Sequence, residues 1–177
     1  MRRIALLLLV PVLAACSWRP FQYRPEEPAE KKSPAPVVSA APPCLHGARI
    51  TVGETDGAMG LRAVGIELHN CGRQAFDVDG YPVVEVLDAD RVRLDVRAIH
   101  GVEETGQGAV KPERVTVQPG ESARASLVWR NVTTGEAVTG AFLSVAAAGG
   151  QPRHEVPIVV DVGSTGRVSV GPWTATG

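Results

Sequence analysis

From residue 44 to 177, apolar and polar positions alternate with a period of two, the mark of strands that have one buried and one wet face. Val64, Ile66 and Leu68 alternate with Gly65, Glu67 and His69. Ala123, Ala125, Leu127 and Trp129 alternate with Arg124, Ser126, Val128 and Arg130, and Val92, Leu94, Val96 and Ala98 with Arg91, Arg93, Asp95 and Arg97. Shorter strands are predicted at 49–52, 83–87, 114–117, 142–146, 156–162 and 167–170. Turn signals punctuate them: Asp79-Gly80, Pro119-Gly120, Gly149-Gly150, Gly163-Ser164-Thr165-Gly166, and a hairpin turn through Gly53, Gly57 and Gly60. No stretch here has a helical period. Many short strands without crossover helices predict an all-β, antiparallel β-sandwich over 44–177. Its expected core is the inward sets above with Trp129, Phe142, Ile158 and Trp173.

The N-terminal segment has a different pattern. Arg2 and Arg3 precede an apolar run from Ile4 to Val12, interrupted only by Pro11 and closed by Leu13-Ala14-Ala15-Cys16. The run is shorter than the roughly 20 residues a transmembrane helix needs, and it fits a secretory signal. Cysteine directly after Leu-Ala-Ala resembles the lipobox of bacterial lipoproteins. That resemblance implies residues 1–15 as a signal peptide, diacylglyceryl attachment at the Cys16 thiol (with palmitate-type acyl chains), cleavage before it, and lipid anchoring on the outer face of the cell membrane. The competing reading is a plain signal peptide with a cysteine nearby. Residues 16–43 are expected to form a tether, since seven of the 14 prolines fall at 20, 25, 28, 34, 36, 42 and 43 and interrupt any helix or strand. Trp18, Phe21 and Tyr23, flanked by Arg19 and Arg24, either rest in the lipid headgroup zone or serve as plain tether residues.

The chain has 3 cysteines. With Cys16 as the lipid site, Cys44 and Cys71 remain, and an oxidising exterior lets them pair. The alternatives are a metal site or a reactive thiol. Two cysteines with no C-x-x-C partner, and no His or Asp at ligand spacing, make a poor zinc site.

Charge narrows the partners. Lys and Arg number 18 against 19 Asp and Glu, so no basic field attracts nucleic acid and no nucleic-acid partner is expected. Candidate chemistry is sparse. His46, His69, His100 and His154 are widely spaced and read as surface or strand-end residues. There is no H-E-x-x-H, no G-x-S-x-G and no phosphate-cradling glycine loop. Asp77 and Asp79 with Asp88 and Asp90 flank the Gly80-Tyr81-Pro82 strand start and are the one candidate calcium cluster, against the plainer reading of turn aspartates. Met59 is the only methionine after Cys16, which leaves no soft-ligand copper site. No catalytic residue, metal or cofactor is expected.

The segments HNCGRQAFDVDGYPVVEVLDAD (69–90), VTVQPGESARASLVWRN (115–131) and RVSVGPW (167–173) resemble an actinobacterial lipoprotein domain, domain of unknown function 4232. The most specific parts are Asn70-x-Gly72, Gly80-Tyr81-Pro82, and Pro119-Gly120 with Trp129 downstream. The resemblance implies a lipobox, a Pro-rich tether and a small immunoglobulin-like sandwich, and it supports joining Cys44 to Cys71. One departure is that Cys71 falls inside the Asn-x-Gly triplet rather than a few residues later. The family supplies no biochemical activity.

The expected function is therefore a non-catalytic binding or adaptor module carried by an envelope lipoprotein, with a protein partner or ligand in the envelope. Loops at sandwich ends are the usual binding surfaces, which singles out 101–113, with Glu103, Glu104 and Gly106, and 131–140. The alternative is a receptor for a small ligand or cell-wall polymer, which needs an apolar or aromatic-lined cleft. Tyr81 exposed beside Trp173 would favour it.

Overall fold

A computed structural model describes residues 42–101 and 111–176, which form strands joined by turns, with no helix among them. The strands are β1 (Ala48–Val52), β2 (Asp56–Ala58), β3 (Leu61–Asn70), β4 (Phe76–Val78), β5 (Val83–Leu87), β6 (Arg97–His100), β7 (Val115–Val117), β8 (Ser122–Arg130), β9 (Val138–Ala146), β10 (Arg153–Gly163), β11 (Arg167–Val170) and β12 (Thr174–Ala175). The larger sheet runs β1-β3-β8-β11-β6, with β2 continuing the edge beside β3 and β12 beside β8. The second sheet is β10-β9-β5, and β4 and β7 form a separate ribbon. The all-β sandwich expected from the alternation is the fold observed.

Alternation sets the faces. Val64, Ile66 and Leu68 of β3 are buried, as are Ala123, Ala125, Leu127 and Trp129 of β8, and the two strands pair antiparallel from Leu61↔Arg130 to His69↔Ser122. Leu143 and Val145 of β9 and Val160 and Val162 of β10 close the core from the opposite sheet. Trp173 is buried as expected, and its indole donates to the Ala147 carbonyl at 2.8 Å. Ile158 is only partly buried against the core. Phe142 corrects the expectation: it is half-buried, with the Arg91 guanidinium 4.6 Å above its ring, because β9 sends Leu143 and Val145 inward instead. Val128, placed on the wet face by alternation, is buried in the middle of a strand with neighbours on both sides.

The strand expected over 91–98 does not form as one element. The Asp88 carboxylate accepts from the amides of Asp90 (2.9 Å) and Val92 (2.8 Å), a side-chain-built turn that leaves Arg91 at φ 62. Val92, expected inside, is 60% exposed. The chain then touches β5 through Leu94 N–H to Val86 O, crosses to the other sheet, and pairs as β6 with β11 in the one parallel ladder among the described residues. Alternation reports a local period and carries no sign of a change of sheet.

Pro157 lies inside the longest strand, where a missing N–H would break a central ladder. β10 is an edge strand, and its register shifts between Pro157 and Val160, so the lost donor falls at an irregularity of the edge. Gly163 is required where β10 ends: at φ 58, an added Cβ would lie 2.2 Å from the Val132 carbonyl oxygen.

Candidate functional site

An apolar cleft opens between the two sheets at one end of the sandwich, with a volume of about 220 Å³. Its buried floor is Ile50 of β1, Leu68 of β3 and Val78 of β4. Leu45, Phe76, Ala147, Ala148 and Pro152 wall it, and its polar groups are His46, Asp77, Gln151 and His154. Two tight turns shape the mouth. Residues 45–48 close a two-residue hairpin, Leu45 N–H to Ala48 O (2.8 Å) and Ala48 N–H to Leu45 O (3.0 Å), with His46 and Gly47 at φ 52 and 83. Positive φ at both central positions defines a type I′ turn, and it leaves His46 and the 41%-exposed Leu45 at the rim. Opposite them the β9–β10 turn brings Ala147, Ala148 and Gln151 to the other lip.

His154 is the residue that sequence reasoning misplaced. It pairs with Val145 in the β9–β10 register, and so takes an inward position on an edge strand and is only 7% exposed. Its neighbours Arg153 and Glu155 face outward to Glu85 and Arg91. No protein group among the described residues bonds the imidazole, and its nitrogens are not among the buried atoms left without a partner, so they stay open to the cleft. Burial, and then the nearby His46, push its pKa below the usual 6.5. The signal was available: His154 occupies the apolar phase of a strand whose later members are Val156, Ile158 and Val160.

This burial predicts a pH dependence. A histidine with a lowered folded pKa takes up its proton more readily in the unfolded chain, so its stability contribution is complete above 6.5 and is lost as pH falls through 6.5 toward the folded value. Besides His46, the charged residue lining the same cleft is Asp77, whose carboxylate accepts from Thr116 Oγ1 at 2.7 Å. Urea unfolding at about pH 7.5 and about pH 5.5 should show a smaller stability loss on acidification in His154→Leu than in the wild type. An equal loss in both would remove His154 as the cause.

The other singled-out groups do not assemble. Cys44 and Cys71 are joined, with Cα atoms 6.4 Å apart. Cys16, Glu103, Glu104 and Gly106 lie outside the described residues. Tyr81 stacks on the His100 ring at a centroid distance of 4.3 Å and packs against the core, while Trp173 is buried, so the two do not form an exposed aromatic pair. Asp77, Asp79, Asp88 and Asp90 do not converge: no group of three or more potential metal ligands occurs among the described residues. Of the 131–140 segment, residues 132–137 are exposed and held by Ser164, whose hydroxyl bonds the Val132 carbonyl and the Thr134 amide, while 138–140 begin β9 and Gly140 is buried.

One histidine–carboxylate cluster appears on the outer face of the larger sheet. Ser122 Oγ contacts His69 Nδ1 at 3.1 Å and donates to Glu67 Oε1 at 2.9 Å, and Arg124 pairs with Glu67 at 3.3 Å. These are register neighbours, His69↔Ser122 and Glu67↔Arg124. The hydroxyl sits between base and carboxylate, whereas a serine nucleophile needs the imidazole in the middle. The arrangement is a cross-strand polar ladder.

The sequence model of the family described as a domain of unknown function, DUF4232, matches residues 45–174. The chain belongs to this family. No curated protein matches it.

The residues that carried the sequence resemblance turn out to be frame residues. Asn70 is fully buried; its amide donates to the carbonyls of Val117 (2.8 Å) and Gln74 (2.9 Å), and its Oδ1 accepts from Gly72 N–H (2.9 Å). The Gly120 amide returns to the Asn70 carbonyl, which brings the Asn-x-Gly and Pro-Gly motifs together. The Gly80 carbonyl, beside Tyr81 and Pro82, accepts from the Trp173 amide at 2.9 Å. In this DUF4232 chain, then, these residues hold corners, and the cleft lies beside the corner that Asn70 and the disulfide fix.

Proposed function

We propose that this DUF4232 protein is a non-catalytic envelope lipoprotein, anchored through Cys16 to the outer face of the cytoplasmic membrane, that displays its sandwich on a Pro-rich tether as a binding module. The observation that carries the reading is the cleft: a disulfide-bounded frame leaves an apolar hollow between its sheets, and concave, mostly apolar sites with a few polar groups are where small ligands bind. Supporting it, Glu67, Glu85, Asp88 and Asp161 are all consumed in ladders, turns and ion pairs. The anchor rests on the Leu13-Ala14-Ala15-Cys16 pattern behind a short apolar run. An actinobacterial source is proposed on the separate resemblance of segments 69–90, 115–131 and 167–173 to an actinobacterial lipoprotein domain.

What is bound admits two readings, an envelope protein at the sandwich-end loops or a small ligand in the cleft. His154 favours the ligand, because it lines the cleft and its imidazole can exchange a hydrogen bond with a bound head group. Anchoring has a direct test. A Cys16→Ser chain that is still exported should leave the membrane pellet for the soluble fraction and lose palmitate label, since two acyl chains hold firmly and none does not. Retention in the pellet would reject the anchor.

A further inference from the structure

We propose that the cleft takes a small amphipathic molecule with a short apolar body and one uncharged hydrogen-bonding head, such as a hydroxyl or carboxamide, which pairs with the His154 imidazole. This rests on the binding-module reading and names the ligand class for it.

Three features select that class. The first is size. A volume of about 220 Å³ holds roughly seven groups at the ~30 Å³ a water takes in the liquid, so the cleft takes most of a short chain such as octan-1-ol and leaves its last one or two carbons at the open mouth. The second is lining. Ile50, Leu68, Val78 and Phe76 offer no hydrogen bond to the body of a ligand, and Ala147 and Ala148 leave the space that larger side chains would fill. The third is charge. Burial and His46 hold the His154 ring neutral near pH 7, and a neutral imidazole can both donate and accept. A carboxylate head would be desolvated beside that neutral ring and face the Asp77 carboxylate. An ammonium head would find a counter-charge in Asp77, but that carboxylate already accepts from Thr116 Oγ1 at an exposed position, so the pair offsets little of the ammonium's desolvation. A hydroxyl or amide pairs with the imidazole without placing a charge in the cleft.

The test uses the full exported chain carrying Cys16→Ser, ¹⁵N-labelled at histidine, titrated near neutral pH with octan-1-ol, octanoate and octylamine. The His154 ring signal, assigned by its loss in His154→Leu, should shift saturably with octan-1-ol. Octanoate and octylamine should bind at least about tenfold more weakly. His154→Leu keeps the apolar volume, and its octan-1-ol affinity, followed through the Phe76 ring protons, should fall by up to about tenfold, the scale of one neutral hydrogen bond. Ala148→Phe, which fills the hollow, should abolish the saturable shift while the Tyr81-stacked His100 signal stays in place as a report of folding. Absence of a saturable His154 shift at millimolar octan-1-ol overturns the proposal, and so does octanoate or octylamine binding as tightly as the alcohol. These outcomes are independent of anchoring: a chain that stays membrane-bound as Cys16→Ser refutes the lipoprotein reading alone. A cleft that ignores all three probes refutes this ligand class, and a protein crosslinked to 131–140 in cells would then carry the binding-module reading.

Discussion

Trp129→Ala should destabilise the sandwich by about 3–5 kcal/mol, at the upper end of large-to-small core substitutions. Trp129 is fully buried on β8, a strand with neighbours along both edges, so the hole it leaves cannot collapse by moving an edge. Its indole also donates to Asp161 Oδ1 at 2.9 Å. That carboxylate accepts from Asn131 Nδ2 and lies 3.6 Å from Arg62 Nε, so one aspartate of β10 gathers groups from β3, β8 and the segment after it across the two sheets. Removing the indole therefore opens a cavity and takes one donor from a part-buried carboxylate. Trp129→Phe separates the two effects: it keeps most of the apolar volume, and its cost should stay near 1–2 kcal/mol because Asn131 and Arg62 still serve Asp161. Urea unfolding of the exported Cys16→Ser chain and its two variants measures both. A Trp129→Ala loss below about 1 kcal/mol would mean that β8 presents its other face to the core.

The phase of β8 and β3 is legible in the sequence because each strand buries one face along its whole length. Val64-Gly65-Ile66-Glu67-Leu68-His69 reads off the burial directly. Where the fold departs from period two, the cause is an interaction between distant residues. The Asp88 turn and the crossing of 93–97 to the other sheet break a run that alternates well on paper, because β11 supplies the ladder partner that decides the matter. The short strands β2, β4 and β12, of two or three residues, are too brief for any period to show and exist only because β3, β7 and β8 offer edges. Phe142 is expected inside on residue type, as a large apolar side chain, and the phase of β9 overrides that preference. The cleft is illegible for a related reason: its lining comes from five separate segments between 45 and 154. His154 is the exception, since a polar residue in the inward phase of an apolar strand marks a buried polar group from the alternation alone.

Loss of the Cys44–Cys71 bond is the second large effect expected. In the chain-entropy description, cross-linking residues 27 apart stabilises the fold by roughly 3–4 kcal/mol through the unfolded state. For a domain of this size that corresponds to a drop of roughly 10–20 °C in melting temperature for Cys71→Ala. The native-state consequences are local, and they are the sharper part of the expectation. Cys71 lies between Asn70 and Gly72, and its amide donates to the Gly47 carbonyl at 3.0 Å, so the backbone on both sides of the bond remains pinned when the sulfurs are gone. Asn70 still holds Val117, and the 45–48 turn still closes on itself. Amide hydrogen exchange in Cys71→Ala should therefore keep the order of protection through β3, β8 and β9 while every amide there loses protection by a similar amount, the signature of a more expanded unfolded state. Exchange that rises only at Leu45, Ala48 and Cys71 would instead mean that the bond acts by holding the lip of the cleft. In that case the Cys71→Ala chain should also lose the His154 response to octan-1-ol, which a purely unfolded-state effect leaves intact.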